Sequence, residues 1–335
     1  MRAVQVHGVN DVRIDSVPVP EPGPDDILVQ VAACGICGTD LGYARAGGMP
    51  FGNEGPLPLG HEFAGTITAT GSAVTALRVG QRVAINPTTP ANYHGSGGPG
   101  AFADYILVRD AVAADTVHVL PDSLDFATAA LAEPLAVALH GVNRSGAGRS
   151  SRVVVFGAGP IGLGVVAMLA QRGVADIVCI DRVDERLERA RALGAGACFN
   201  PAREDIWQEI GERHGRDTLY GLPVVGTDQF IEVSGAPPVV PEIIANARFH
   251  AHLTVVAVHH QPVPVDLTMM LGKEMQLTTS MAYPTEFGEV LTMLAEGRID
   301  TAPLVSHHFP FDRFDEAFGV AAQPAEAAKV MVTFP

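Results

Sequence analysis

Two cysteines, Cys34 and Cys37, stand in Cys-x-x-Cys spacing in the stretch AACGICGTDLG. Such a pair grips zinc when a second pair completes a four-thiolate site, or exchanges a disulfide in a redox motif. No second pair follows. The remaining cysteines, Cys179 and Cys198, stand alone and read as small buried apolar residues, and so wide a spread is no disulfide framework. Partners for one thiolate come instead from LGHEFAG, with His61 and Glu62, and from LAEPLAV, with Glu133. Thiolate, imidazole and carboxylate are the donors of a catalytic zinc site that keeps one position for water or substrate. Cys37 is the thiolate this pattern uses, and Cys34 reads as its buried neighbour. Adjacent side chains on a strand face opposite ways, so His61 and Glu62 both reach one ion only where the backbone bends. Either glutamate can instead orient the site from outside it.

A second constellation lies in VVVFGAGPIGLG, where Gly157, Gly159 and Gly162 keep the G-x-G-x-x-G spacing around Pro160 and Ile161. The first glycine permits a tight turn, the second lets a pyrophosphate approach the backbone, and the third allows the helix to pack on the strand. The next strand-like run, IVCID, ends in Asp181, where a carboxylate binds the adenosine ribose hydroxyls. Its charge opposes a 2′-phosphate and so points to NAD over NADP. Arg182 beside it pulls the other way, because arginine is the usual phosphate partner.

The elements that must position these residues change character along the 335-residue chain, which is long enough for two domains. The first third gives short Val-, Ile- and Thr-rich runs (AVQV, ILVQVAA, EFAGTITATG, QRVAIN, FADYILV) cut by Gly and Pro, predicting an antiparallel or barrel-like β domain. Within it NPTTPANYHGSGGPG reads as a long surface loop. From about Ser123 a helical stretch interrupted at Pro134 leads into strands alternating with helices, the pattern of a doubly wound parallel sheet. After about Met281 come a helix, EFGEVLTMLAEGR, a strand, PLVSHHFP, a short helix and a last strand, KVMVTFP. The charge-free run from Val153 to Ala170 reaches the minimum length of a membrane helix, but its glycines and proline make it strand, turn and buried helix.

Composition narrows the partners. A formal net charge of −15 opposes nucleic acid and anionic lipid, so small molecules are the expected ligands, with no nucleic-acid or membrane partner. The N-terminal MRAVQVHGVNDVRID lacks the apolar run of a signal peptide, which makes the cytoplasm and reduced thiols the expectation.

CGICGTD, GHEFAG, GQRVAI, AEPLAVALH and VVVFGAGPIGLG, in that order, resemble the zinc-dependent alcohol dehydrogenases of the medium-chain dehydrogenase/reductase superfamily. AEPLAVALH, KEMQLTTSMAY and AAKVMVTFP are most similar to the butanediol, sorbitol and threonine dehydrogenase branch. The resemblance spans nearly the whole chain. It implies an α/β chain with a GroES-like catalytic domain over 1–133 and 282–335 and a Rossmann NAD-binding domain over 134–281. It also implies zinc on Cys37 and His61, with Glu62 and Glu133 as the carboxylates whose roles vary. Thr39 corresponds to the hydroxyl that takes the alcohol proton, Tyr43 to a residue facing substrate, and Lys329 to a base touching the cofactor pyrophosphate in some relatives. A surface hydroxyl for Tyr43 and a plain surface position for Lys329 are the competing readings.

Two departures from the family pattern are visible. The histidine that finishes the proton path in many relatives, three residues after the threonine, is Gly42 here, leaving water or His94 as replacements. The four-cysteine structural zinc lobe is missing: GQRVAINPTTPANYHGSGGPGAFADYILV contains no cysteine, so one catalytic zinc and no structural zinc is expected. The implied activity is hydride transfer between a secondary alcohol, a vicinal diol or polyol, and NAD, in a homodimer or homotetramer. The alternatives are a threonine 3-dehydrogenase, and a zinc-free quinone reductase or silent nucleotide-binding protein on the same fold.

Overall fold

The strand Ile27–Gly35 is buried along most of its length, and its near-continuous apolar run suits a strand covered on both faces. In the computed structural model, which describes all residues except 50, 51, 53, 54, 94–97, 324 and 326, it is the centre of a seven-stranded sheet. One edge pairs antiparallel with Glu62–Thr70. The other is shared, with Tyr105–Val108 along its first half and the C-terminal strand Lys329–Thr333 along its last three residues. Phe63, Ile67, Phe102, Phe311 and Phe314 fill the adjoining core.

The second sheet has six strands, all parallel, in the spatial order Ala197–Phe199, Asp176–Ile180, Arg152–Phe156, Gln229–Glu232, His252–Val255, Gln276–Thr279. Chain order reverses between Arg152–Phe156 and Gln229–Glu232, the point at which doubly wound sheets bind ligands. Val153, Val154 and Val155 are fully buried, as a parallel strand flanked by helices requires. The charge-free run resolves into Arg152–Phe156, a turn and the helix Pro160–Gln171. Among the described residues no helix is long and apolar enough to cross a membrane.

The chain divides into two units. The first holds Met1–Glu133, Phe287–Thr301 and Val305–Pro335; the second holds Pro134–Glu286 and Ala302–Leu304. Glu286 belongs to the second because it accepts from Asn143 at 3.0 Å and pairs with His140 at 2.8 Å.

The structure departs from the local sequence reading at two places, the Pro134 break and a hairpin. The helical break falls at Leu131, between Phe126–Ala130 and Ala132–Ser145, and Pro134 sits in the first turn of the second helix. There its missing N–H has no intrahelical partner to lose. Cys198, read as a small buried apolar residue, is buried in the short strand Ala197–Phe199 that follows the helix Asp184–Ala192, and burial pushes its thiol up to about 11. The hairpin Arg216–Leu219 and Leu222–Val225 had no sequence signal. Its turn places Tyr220 and Gly221 at φ of 50° and 78°, and tyrosine is not a residue that announces such a turn.

Candidate functional site

Cys37 is the N-cap of the helix Gly38–Ala46, with extended backbone at φ −97° and ψ 156°. Its sulfur accepts from the Thr39 amide at 3.5 Å, while its own amide donates to Asp40 Oδ2 at 2.8 Å, closing a capping box with sulfur in place of a hydroxyl. Thr39 Oγ1 stands 3.6 Å from the same sulfur, on an exposed residue. Tyr43 lies one turn further along the helix, partly buried against the core. Gly42, on that helix, faces open space.

Asp40 was not singled out from the sequence, yet it joins two parts of the site. It is fully buried, and its second oxygen accepts from the Gly60 amide at 3.0 Å. Burial raises its pKa, against the opposing pull of His61 and the two amides. The detectable signal was the C-x-x-D capping pattern within CGTD. Gly60 has φ +95°, and a side chain there would strike the backbone of Phe102. This turn leaves His61 outside the strand that begins at Glu62, so strict alternation does not apply and both side chains reach one place.

The donor atoms of Cys37, His61 and Glu62 lie within 4.8 Å of one another. The His61 side chain is 11% exposed, and its buried Nδ1 has no hydrogen-bond partner among the described residues, at 3.9 Å from Asp40. Burial pulls the imidazole pKa down, but Cys37, Asp40 and Glu133 together carry it well above the ordinary value. A thiol, an imidazole and a carboxylate so placed, with a buried polar atom unsatisfied, fit a zinc ion. Glu133 is outside this trio, buried, and close enough for its charge to act on His61 and Lys329. Cys34 is fully buried beside Gly35, and burial raises its thiol well above the ordinary value.

Lys329 is not a surface lysine. The pairing of Lys329–Thr333 with Ile27–Gly35 carries it inward, where Nζ donates to both Glu62 oxygens at 2.6 Å and to the Ile36 carbonyl at 3.0 Å. Gly35 makes room: a Cβ there would lie 2.2 Å from Glu62 Oε2. Burial lowers the lysine pKa, and Glu62, Cys37 and Glu133 more than reverse that. His94 lies outside the described residues.

In the second unit Gly157 takes φ +107° and packs on Ser234, and a Cβ on Gly162 would lie 1.9 Å from the Gly157 carbonyl. Gly159 is the N-cap of the helix opened by Pro160 and continued by Ile161; it supplies no capping side chain, which leaves the first amides open to an anion. Asp181 is held by two amides, Ala158 at 2.7 Å and Val183 at 2.9 Å. Arg182 is exposed. Arg186, also missed in the sequence, brings its guanidinium to the Gly159 side of the loop, and burial lowers its pKa.

A β-rich unit bearing this donor cluster, joined to a doubly wound sheet with a glycine-rich turn, defines a dehydrogenase of the GroES-like and Rossmann type. Residues 23–122 match the alcohol dehydrogenase GroES-like domain and residues 160–296 the zinc-binding dehydrogenase domain. Sorbitol dehydrogenase of Bacillus subtilis (strain 168) is 31% identical, over 99% of this chain and 97% of that protein. The crystal structure of 2R,3R-butanediol dehydrogenase from Bacillus subtilis superposes with a TM-score of 0.88 at 29% identity, covering 99% of each chain. Among similar solved structures, an Escherichia coli CFT073 alcohol dehydrogenase holds NADH (TM-score 0.87, 25% identity, 100% and 99% covered). A Sinorhizobium meliloti 1021 protein described as a zinc-binding dehydrogenase holds NADP (TM-score 0.86, 29% identity, 99% and 98% covered). The chain belongs to the zinc-dependent alcohol dehydrogenase family of the medium-chain dehydrogenase/reductases, and it is an enzyme of the alcohol dehydrogenase class.

Proposed function

We propose that the enzyme oxidises a secondary alcohol, a vicinal diol or polyol, to the ketone with NAD, using one zinc ion. The observation that carries the reading is the cluster of Cys37, His61 and Glu62 donors beside the Thr39 hydroxyl. Cys37 and His61 hold the ion, completed by Glu62, Glu133 or water; bound there, zinc supplies Lewis acidity to an alcohol oxygen. Residues 1–133 and 282–335 form the catalytic domain, and residues 134–281 bind NAD, which supplies the hydride acceptor.

The chain's own groups do the rest. Thr39, exposed and adjacent to the thiolate, receives the alcohol proton. Tyr43 faces substrate from the same helix. With Gly42 in the place of the family's relay histidine, the proton continues through water or His94. The amides at the start of Pro160–Gln171, with Gly157, Gly159 and Gly162, take the pyrophosphate, and Asp181 takes the adenosine ribose. A carboxylate there repels a 2′-phosphate, which selects NAD against the pull of Arg182. Lys329, a pyrophosphate contact by family resemblance, has its ammonium committed to Glu62 and acts first on that carboxylate's charge.

Metal analysis of the purified protein tests the centre: about one zinc per chain is expected, and none would sink the reading. A panel of secondary alcohols, diols, polyols and threonine, followed by NADH absorbance, identifies the substrate; turnover of threonine alone selects the threonine dehydrogenase alternative. Light scattering on the same sample checks the expected homodimer or homotetramer.

A further inference from the structure

The strand Gln229–Glu232 ends at a carboxylate that is fully buried. Glu232 Oε1 accepts from the Ser234 amide at 2.7 Å, the Ser234 hydroxyl at 2.5 Å and the Gly235 amide at 2.9 Å, closing the turn after the strand. Oε2 faces Nε2 of His259 at 3.0 Å. His259 arrives there because the chain leaving His252–Val255 folds over the same strand end: the Val256 and Ala257 amides donate to the Glu232 carbonyl at 2.9 and 3.2 Å.

A carboxylate on one ring nitrogen keeps a proton there, so in the neutral imidazole Nδ1 is an acceptor with a fixed direction. Nδ1 is buried and has no hydrogen-bond partner among the described residues, although the side chain as a whole is 15% exposed. Buried polar atoms are ordinarily paired, so one left without a partner calls for a group to meet it.

Its place in the sheet says which group. Glu232 is in register with Phe156, next to Gly157, and Gly157 packs on Ser234. Asp181 lies on the other side of the same glycine turn, after the strand Asp176–Ile180. A dinucleotide with its adenosine ribose on Asp181 and its pyrophosphate on the helix N-terminus therefore runs its second nucleoside over the end of Gln229–Glu232. We propose that His259 is a cofactor-binding residue that accepts a hydrogen bond from the nicotinamide-side nucleoside, with Glu232 as its positioning residue. The donor is a ribose hydroxyl or the carboxamide N–H. The inference rests on the assignment of this unit as the NAD site.

Titration calorimetry of the full-length protein with NADH, ADP-ribose and ADP tests it. His259→Leu is expected to weaken NADH about tenfold, the equivalent of one good hydrogen bond, and to leave ADP unchanged. A parallel loss for ADP-ribose assigns the ribose hydroxyl, and an unchanged ADP-ribose affinity assigns the carboxamide; either supports the inference. His259→Asn, which puts an amide oxygen near the Nδ1 position, should recover most of the loss. Unchanged NADH affinity in the leucine variant, an equal loss for ADP, or no recovery with asparagine overturns the role. Failure of the unaltered protein to bind both NADH and ADP overturns the nucleotide-site reading itself, and this inference with it.

Discussion

Cys37 combines two tasks: it caps a helix and offers its sulfur to the donor cluster. Serine also caps helices well, so Cys37→Ser keeps the local fold while replacing a soft thiolate with a poor zinc ligand. The variant is expected to lose bound zinc and turnover while its circular dichroism shows the fold intact; retained activity would refute the assignment. Asp181 supports a second expectation at this scale. Its oxygens are already turned by the Ala158 and Val183 amides, so its charge is fixed in direction before any ligand arrives. Asp181→Ala should weaken NAD far more than NADP, because removing the carboxylate also removes its repulsion of a 2′-phosphate. Equal losses measured by calorimetry would count against NAD as the cofactor.

The helix Gly38–Ala46 shows how an element can be legible in its chemistry and invisible in its geometry. CGTDLG announces a ligand and a hydroxyl, but its two glycines and weak apolar periodicity hide the helix, which rests on the Cys37 to Asp40 capping box and a left-handed Gly47 at its end. Gly42 is the weak point: glycine inside a helix costs conformational entropy, and a Cβ here would touch nothing within 4 Å. Gly42→Ala is therefore expected to stabilise the protein by about 0.5–1 kcal/mol, read as a rise in thermal midpoint. A fall would mean that the position is less open than the structure shows. Gly162 is the opposite case, since backbone already occupies the space its Cβ would need.

At the scale of the whole molecule, the parallel sheet is tied across its centre by Asp228. It accepts from the Arg152 amide at 2.8 Å and from the Arg152 guanidinium at 3.1 and 3.0 Å, and pairs with Arg248. Burial pushes the Asp228 pKa up, but the Arg152 hydrogen bonds outweigh it and the net shift is downward. A folded pKa below the unfolded one gives stability that is complete above the ordinary carboxylate range and lost as pH falls through the folded value. Asp228→Asn should thus cost about 1 kcal/mol at neutral pH, allowing for partial solvent exposure. In denaturant titrations the gap to the unaltered protein should close in acid; a gap independent of pH would contradict the ionic origin.

What the sequence determined by itself was local: the donor types at Cys37, His61, Glu62 and Glu133, the three glycines with Asp181, and the change from strand runs to alternating strands and helices. Each is a matter of residue chemistry and short spacing, which backbone geometry converts directly into turns and periods. The tertiary structure decided what strand register alone can decide. Gly60 turns His61 out of the strand so that it meets Glu62, and antiparallel pairing of the C-terminal strand carries Lys329 onto the same carboxylate. The fold of the chain back over Gln229–Glu232 sets His259 against Glu232. These meetings join segments remote in sequence, and nothing local records them, because the pairing partner and its register are selected by burial of the whole sheet.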